Sequence, residues 1–237
     1  METGTPGPPQ GQPPDPTPPP APEAPQAPAA AAIASSAAPQ VRPGSGPPSA
    51  PYPAVLEFDR QDEYSRLLPF VKWLLLIPHW FVLMFLGIGA FFGIVVSWFA
   101  VLFTGSYPQG IHRFVVGTYR WATRASAYML LMTDDYPPFS LDHDDNYPVR
   151  LDIAHEERIA NWRPLVHWLL VIPYMLVAGV LLTIAYFVTF AAFFTILFTK
   201  QFPQALFDFN VVALRWQARA NVYSYWMTER YPPWAWA

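Results

Sequence analysis

Cysteine is absent from the 237 residues. That excludes disulfides, thiolate metal sites, iron–sulfur clusters and thiol nucleophiles together. Charge is scarce as well, at 13% of residues, about half the share of roughly 25% usual in globular domains. A net charge of −3 is too small to point to nucleic acid or to a strongly acidic or basic partner. No phosphate-cradling glycine loop, metal-ligand spacing, nucleophile–base motif or nucleic-acid signature occurs, so no catalytic residue, metal or cofactor is assigned and a non-enzymatic role is expected. "METGTPGPPQGQPPDPTPPP" lacks the basic and apolar regions of a secretory signal.

What is present in excess is proline at one end and apolar residues over the rest. Eighteen of the 29 prolines precede Ala54. Each removes a backbone donor and restricts its neighbour, so residues 1–50 are expected to form a disordered, partly polyproline-II tail that acts as a spacer. The alternative use is docking to a proline-binding partner.

From Tyr52 onward the chain is written twice. Tyr52–Asp142 aligns without a gap on Tyr147–Ala237 at an offset of 95 residues, with about a third of positions identical. The shared phrases include "WLL", "IP", "LFT", "RW" and a closing "YPP". The domain division is therefore a tail at 1–50, a first membrane repeat at 51–142 and a second at 143–237.

Each repeat has four parts. A short stretch alternates apolar and polar residues, Ala54, Leu56 and Phe58 against Val55, Glu57 and Asp59, then Val149, Leu151 and Ile153 against Arg150 and Asp152. Period two predicts a strand in each copy, and the two strands are able to pair. A long apolar block follows, Leu67–Phe103 with Lys72 as its only formal charge, and Leu165–Phe198 with none. As a straight helix the first block would span about 55 Å against a hydrocarbon core of about 30 Å. Pro78 and Pro173 mark expected helix kinks, and Lys72 and His167 are placed to reach headgroups from near the block's start.

The third part is a basic amphipathic helix. Arg113, Arg120 and Arg124 fall in one stripe, with Ile111, Phe114, Thr118, Trp121, Ala125, Tyr128 and Met132 on the other side. The copy repeats this with Arg215 and Arg219. These five arginines are read as contacts to anionic lipid headgroups from a helix lying in the interface. The alternative is a charged path through the bilayer, which costs several kcal/mol per charge at mid-membrane. The fourth part is the "YPP" exit; with it, Trp121, Trp216, Trp226, Trp234 and Trp236 are read as interfacial aromatics.

Topology has two expectations. Single crossings would invert the second repeat and place six basic residues on either side, giving charge bias nothing to act on. Hairpins folded back at "GIGAFFG", Gly87–Gly93, and at "VLLTIAYF", Val180–Phe187, would keep both repeats in one orientation with all basic residues in the cytoplasm. The hairpin is favoured, with both termini cytoplasmic. The linker "DHDDN", Asp142–Asn146, imitates the start of a calcium loop but lacks its glycine and closing glutamate, and is read as solvated.

The string "LLPFVKWLLLIPHW" with "LFTGSYPQGIHRFVVGTYRWATRASAYMLLMTDDYPPFSL", and its diverged copy from "PLVHWLLVIPY" to "RYPP", resemble a bacterial membrane family defined only as a domain of unknown function, number four-three-eight-nine. The resemblance implies residence in the bacterial inner membrane and a duplicated architecture, and carries no activity. The fold class expected is an all-α integral membrane protein with a short strand in each repeat. The expected role is a membrane accessory or scaffold protein. Its partners are anionic lipid headgroups, with other membrane proteins or further copies of the chain also considered. The alternative role is a pseudo-symmetric transporter or channel subunit.

Overall fold

The computed structural model describes residues 52–236, together with Met1 and Gly4; the tail expected at 1–50 therefore lies outside the described residues. The elements run β1 (Ala54–Phe58), α1 (Leu68–Leu75), α2 (Ile77–Thr104), α3 (Gln109–Met129), β2 (Val149–Ile153), α4 (Arg163–Thr199) and α5 (Gln204–Ser224).

The two predicted strands pair with each other, antiparallel, in the register Ala54↔Ile153, Leu56↔Leu151 and Phe58↔Val149. This register has a symmetry consequence. Leu56 and Leu151 are equivalent positions of the repeat, 95 residues apart, and they face each other. The pairs on either side exchange under the same offset. A pseudo-twofold axis thus passes through the Leu56–Leu151 pair. Hydrogen bonds away from the strands obey it: Tyr64 N–H donates to Lys200 O and Ile159 N–H to Gly105 O, each at 2.8 Å.

Both apolar blocks are long helices, and neither folds back on itself. The favoured hairpin is corrected: α4 runs for 37 residues, straight through Val180–Phe187 and through Pro173, and α2 runs through Gly87–Gly93. Three glycines in that stretch give a helix made uniformly of apolar residues no reason to turn, since a reversal would expose unpaired backbone polar groups. The predicted kink at Pro78 is a one-residue break at Leu76, two positions earlier, with Pro78 in the first turn of α2. That placement suits a residue without an N–H. Pro173 leaves α4 uninterrupted.

Left-handed residues end both long helices, Gly105 (φ 66°) and its equivalent Lys200 (φ 60°), and turn the chain in a few residues. α3 then returns antiparallel along α2. Its N-terminal part meets the middle of α2, with Ile111 beside Gly93 and Phe114 beside Gly89, and its C-terminal part meets the beginning, where Trp121, Ala125 and Tyr128 pack on Leu76 and Leu83. In the second repeat α5 returns along α4, with Trp216 stacked on Tyr174 at 4.7 Å and Tyr223 stacked on His167 at 4.2 Å.

The long helices of the two repeats are antiparallel to each other. Phe70, at the start of α1, meets Phe193 near the end of α4 at 5.1 Å, while Trp98 near the end of α2 donates to Pro164 O at 3.1 Å. The strands cover the outer side of the returning helices in exchanged fashion: α3 of the first repeat packs on β2 of the second, and α5 of the second on β1 of the first. The result is three layers: the long helices, then α3 and α5, then the strand pair.

Candidate functional site

The arginine stripe faces the strands. Arg120 donates to Leu151 O (2.9 Å) and Leu141 O (3.0 Å) and pairs with Asp152 (3.1 Å). Its equivalent Arg215 donates to Leu56 O at 3.1 Å. Each helix therefore holds the other repeat's strand through an arginine, at the two residues that flank the pseudo-twofold axis. Arg124 is fully enclosed, donating to Asp142 O at 3.0 Å and lying 5.6 Å over the Tyr147 ring. Burial, reinforced by neighbouring Arg120, lowers its pKa. Arg219 donates to Ala235 O at 3.1 Å. Of the five, Arg113 is exposed.

This corrects the expected interfacial helices. The apolar side of α3 packs on α2 rather than entering lipid, and on its polar side Arg120 and Arg124 bind carbonyls of β2 and the linker, whereas Arg113 stays exposed. Arg124 has no surface with which to touch a phosphate. The tryptophans divide similarly. Trp121 and Trp216 are buried, the former donating to His79 Nδ1 at 2.9 Å and the latter to Ala235 O at 3.0 Å. Trp226 is half-buried, with a left-handed backbone (φ 59°), whereas Trp234 and Trp236 are exposed.

A second buried junction ties each long helix to the loop after its returning helix. Lys72 pairs with Asp134 at 2.8 Å, donates to Thr133 O at 2.7 Å and lies 4.6 Å over the Tyr128 ring. Both Lys72 and His167 are buried, so neither reaches a headgroup. The "YPP" loops close over the residue after the helix proline: His79 stacks on Phe139 at 4.0 Å, and Tyr174 contacts Trp234 at 5.3 Å.

On the outermost side, the strand pair carries the charges. Arg150 pairs with Asp59 at 2.5 Å and with Glu57 at 3.4 Å; this hydrogen bonding lowers the Asp59 pKa and raises that of Arg150. Glu57, Asp59 and Asp152 have side chains more than half exposed. In the linker His143 contacts Asp145 at 2.8 Å and Asp152 at 3.1 Å.

The opposite side of the molecule is uncharged. Lys72 is the only formal charge between Leu68 and Thr104, and Pro164–Thr199 contains none. The buried stripe of α1–α2 is Lys72, Leu76, His79, Leu83, Ala90, Ser97 and Val101, spaced at three, four and seven. Many large apolar side chains on these helices and on α4 are open, including Phe81, Phe85, Phe91 and Phe99 on α2 and Leu176, Phe187, Phe190 and Phe198 on α4. Two cavities open beside it, one of about 490 Å³ between α2 and α3 near Phe91 and Tyr119, the other of about 340 Å³ where α1 faces α4 near Tyr186 and Phe193. Among the described residues no group of three or more His, Asp or Glu side chains is arranged to hold a metal ion.

One titratable group in the middle layer yields a pH prediction. His112 is buried on α3, its ring 4.8 Å from His155 and 5.8 Å from Tyr107. Burial, with a smaller contribution from His155, pushes it from 6.5 down to about 4. The unfolded chain therefore binds the extra proton between those values, and stability is complete above pH 6.5 and falls as the pH drops toward 4. The second repeat has Phe207 at this position. His112→Phe is expected to reduce the pH dependence of the melting temperature over pH 4–6.5, measured by thermal unfolding of both proteins across that range.

Fold and surface define a class: a tandem duplication of a unit made from one strand, one long apolar helix and one returning amphipathic helix, closed by strand exchange. The two repeats each match the family described as "Domain of unknown function (DUF4389)", over residues 67–140 and 161–235. The chain belongs to that family. No curated protein and no solved structure matches the chain.

Proposed function

We propose that the chain is a non-enzymatic accessory or scaffold protein of the bacterial cytoplasmic membrane, held by its long helices and presenting its strand layer and proline-rich tail to the cytoplasm. One observation carries the reading. α1–α2 and α4 each run over 37 residues, and the most apolar 18-residue window of each has a mean hydropathy of 2.3, yet only 17% and 22% of those windows are covered by the rest of the chain. The core helix of a soluble protein with this composition would be enclosed. An apolar surface far larger than the few hundred Å² that soluble monomers tolerate needs a non-aqueous neighbour.

The test is fractionation of cells expressing the full chain. The protein is expected in the membrane pellet, resistant to carbonate and high salt and released by detergent. Recovery in the supernatant without detergent would overturn the proposal.

A pseudo-symmetric transporter or channel subunit is supported by one feature, the antiparallel relation of the two equivalent long helices, as in inverted-repeat transporters. Solute-selective flux into liposomes containing the purified chain is the result that would favour it.

A further inference from the structure

We infer that α1–α2 and α4 lie within a single leaflet, parallel to the membrane plane, so that the chain enters the bilayer from one side and does not cross it. This rests on the membrane reading above and decides how the membrane is met. The partner surface is the acyl region of one leaflet; the opposite side of the molecule faces water.

The symmetry axis forces a choice. Because the equivalent long helices are antiparallel, the axis through Leu56 and Leu151 is perpendicular to them. If the helices stood across the bilayer, that axis would lie in the membrane plane near mid-depth, and the strand pair would sit there with it. Asp59 is three residues from Leu56, at most about 10 Å along the strand, whichever way the strand points. The hydrocarbon extends about 15 Å to either side of the mid-plane. Glu57, Asp59, Arg150 and Asp152 would all lie inside hydrocarbon, three of them with side chains more than half exposed. Exposed carboxylates at that depth are prohibitive.

Length gives the same answer independently. Covering the uncharged and uninterrupted Pro164–Thr199 of α4, about 54 Å of helix, with a core of about 30 Å requires a tilt of about 56°, beyond the observed range of 0–40°. Laid flat, the axis stands along the membrane normal, both repeats take the same orientation, and the layers fall into order. A helix is about 10 Å thick, within one leaflet's hydrocarbon of about 15 Å. The α3–α5 layer then lies between the long helices and the strands, and the ion-paired strands face the aqueous side. The charge problem that made single crossings and hairpins compete also disappears, because an axis along the membrane normal puts equivalent residues of the two repeats, Arg120 and Arg215 among them, on the same side of the membrane.

The absence of cysteine makes the test direct. Ser106 and Gln201 are equivalent, exposed residues in the turns after α2 and α4. In a flat molecule S106C and Q201C react with a membrane-impermeant maleimide from the same side: neither in intact spheroplasts, both in inverted vesicles. Opposite sidedness would overturn the inference while leaving membrane residence intact. A second measurement covers poor expression or a mixed orientation: spin labels at F81C, F91C and F99C are expected at one shallow depth by oxygen accessibility, with no maximum along the helix. A depth profile that rises to a mid-bilayer maximum and falls again would also overturn it. A soluble chain, monomeric or paired through its apolar faces, would defeat the membrane proposal as well as this one.

Discussion

Replacing Lys72 with methionine is expected to destabilise the protein by about 3–5 kcal/mol, because it removes one partner of an enclosed ion pair and leaves the other without its counter-charge. The Lys72 side chain is 2% exposed and that of Asp134 16%, so water replaces little of what is lost. The lysine also spans between α1 and the loop that closes the first repeat, through Asp134 and Thr133 O. At this chain length the change corresponds to a fall in melting temperature of about 10 °C. The double replacement Lys72→Met with Asp134→Asn is expected to recover most of it, since no unpaired charge remains. Thermal unfolding of the four members of the cycle in detergent measures the coupling. If Lys72→Met alone were neutral, the ammonium would be reaching water or phosphate, as its position near the start of an apolar block predicts.

The second large effect concerns the arginines that hold the exchanged strands. Arg120→Ala removes two hydrogen bonds to backbone carbonyls and one ion pair, Arg215→Ala at least one carbonyl bond. Hydrogen bonds from a charged donor contribute about 1.5–3 kcal/mol each where they are shielded from water. The expected losses are about 3 kcal/mol for Arg120→Ala and about 2 kcal/mol for Arg215→Ala, with faster proteolysis in the linker between the repeats. Arg120→Lys is expected to be intermediate, as an ammonium cannot span two carbonyls and a carboxylate with the guanidinium's fixed geometry. Arg113→Ala, at an exposed position, serves as the control and is expected to change stability little. Unchanged melting temperatures for both Arg120→Ala and Arg215→Ala, with weakened binding to anionic vesicles, would return these residues to the headgroups.

The apolar side predicted for α3 is the side that packs: Ile111, Phe114, Trp121 and Tyr128 meet α2. The stripe of Arg113, Arg120 and Arg124 is also a stripe. What the pattern could not supply is the occupant facing it. A carbonyl of Leu151 and a lipid phosphate are both acceptors, and helical periodicity records only that one side of the helix is polar. One signal was present: the arginines recur in both repeats beside a strand that also recurs, and Leu56 and Leu151 share the register position. Similarly, Trp121 and Trp216 satisfied the composition of an interfacial belt, but burial against His79 and Tyr174 depends on contacts between segments dozens of residues apart.

By itself the sequence determined the duplication, the order of strand, apolar block and amphipathic helix within each repeat, and the resemblance to the family that both repeats match. These follow from local periodicity and from self-similarity, which need no partner to be read. Only the tertiary structure decided that the long helices do not fold back, that each returning helix grips the other repeat's strand, and that a twofold axis sets charge on one side and bare hydrocarbon surface on the other. The reason is that periodicity is a property of a segment, whereas what a polar or apolar side rests against is a property of the whole chain.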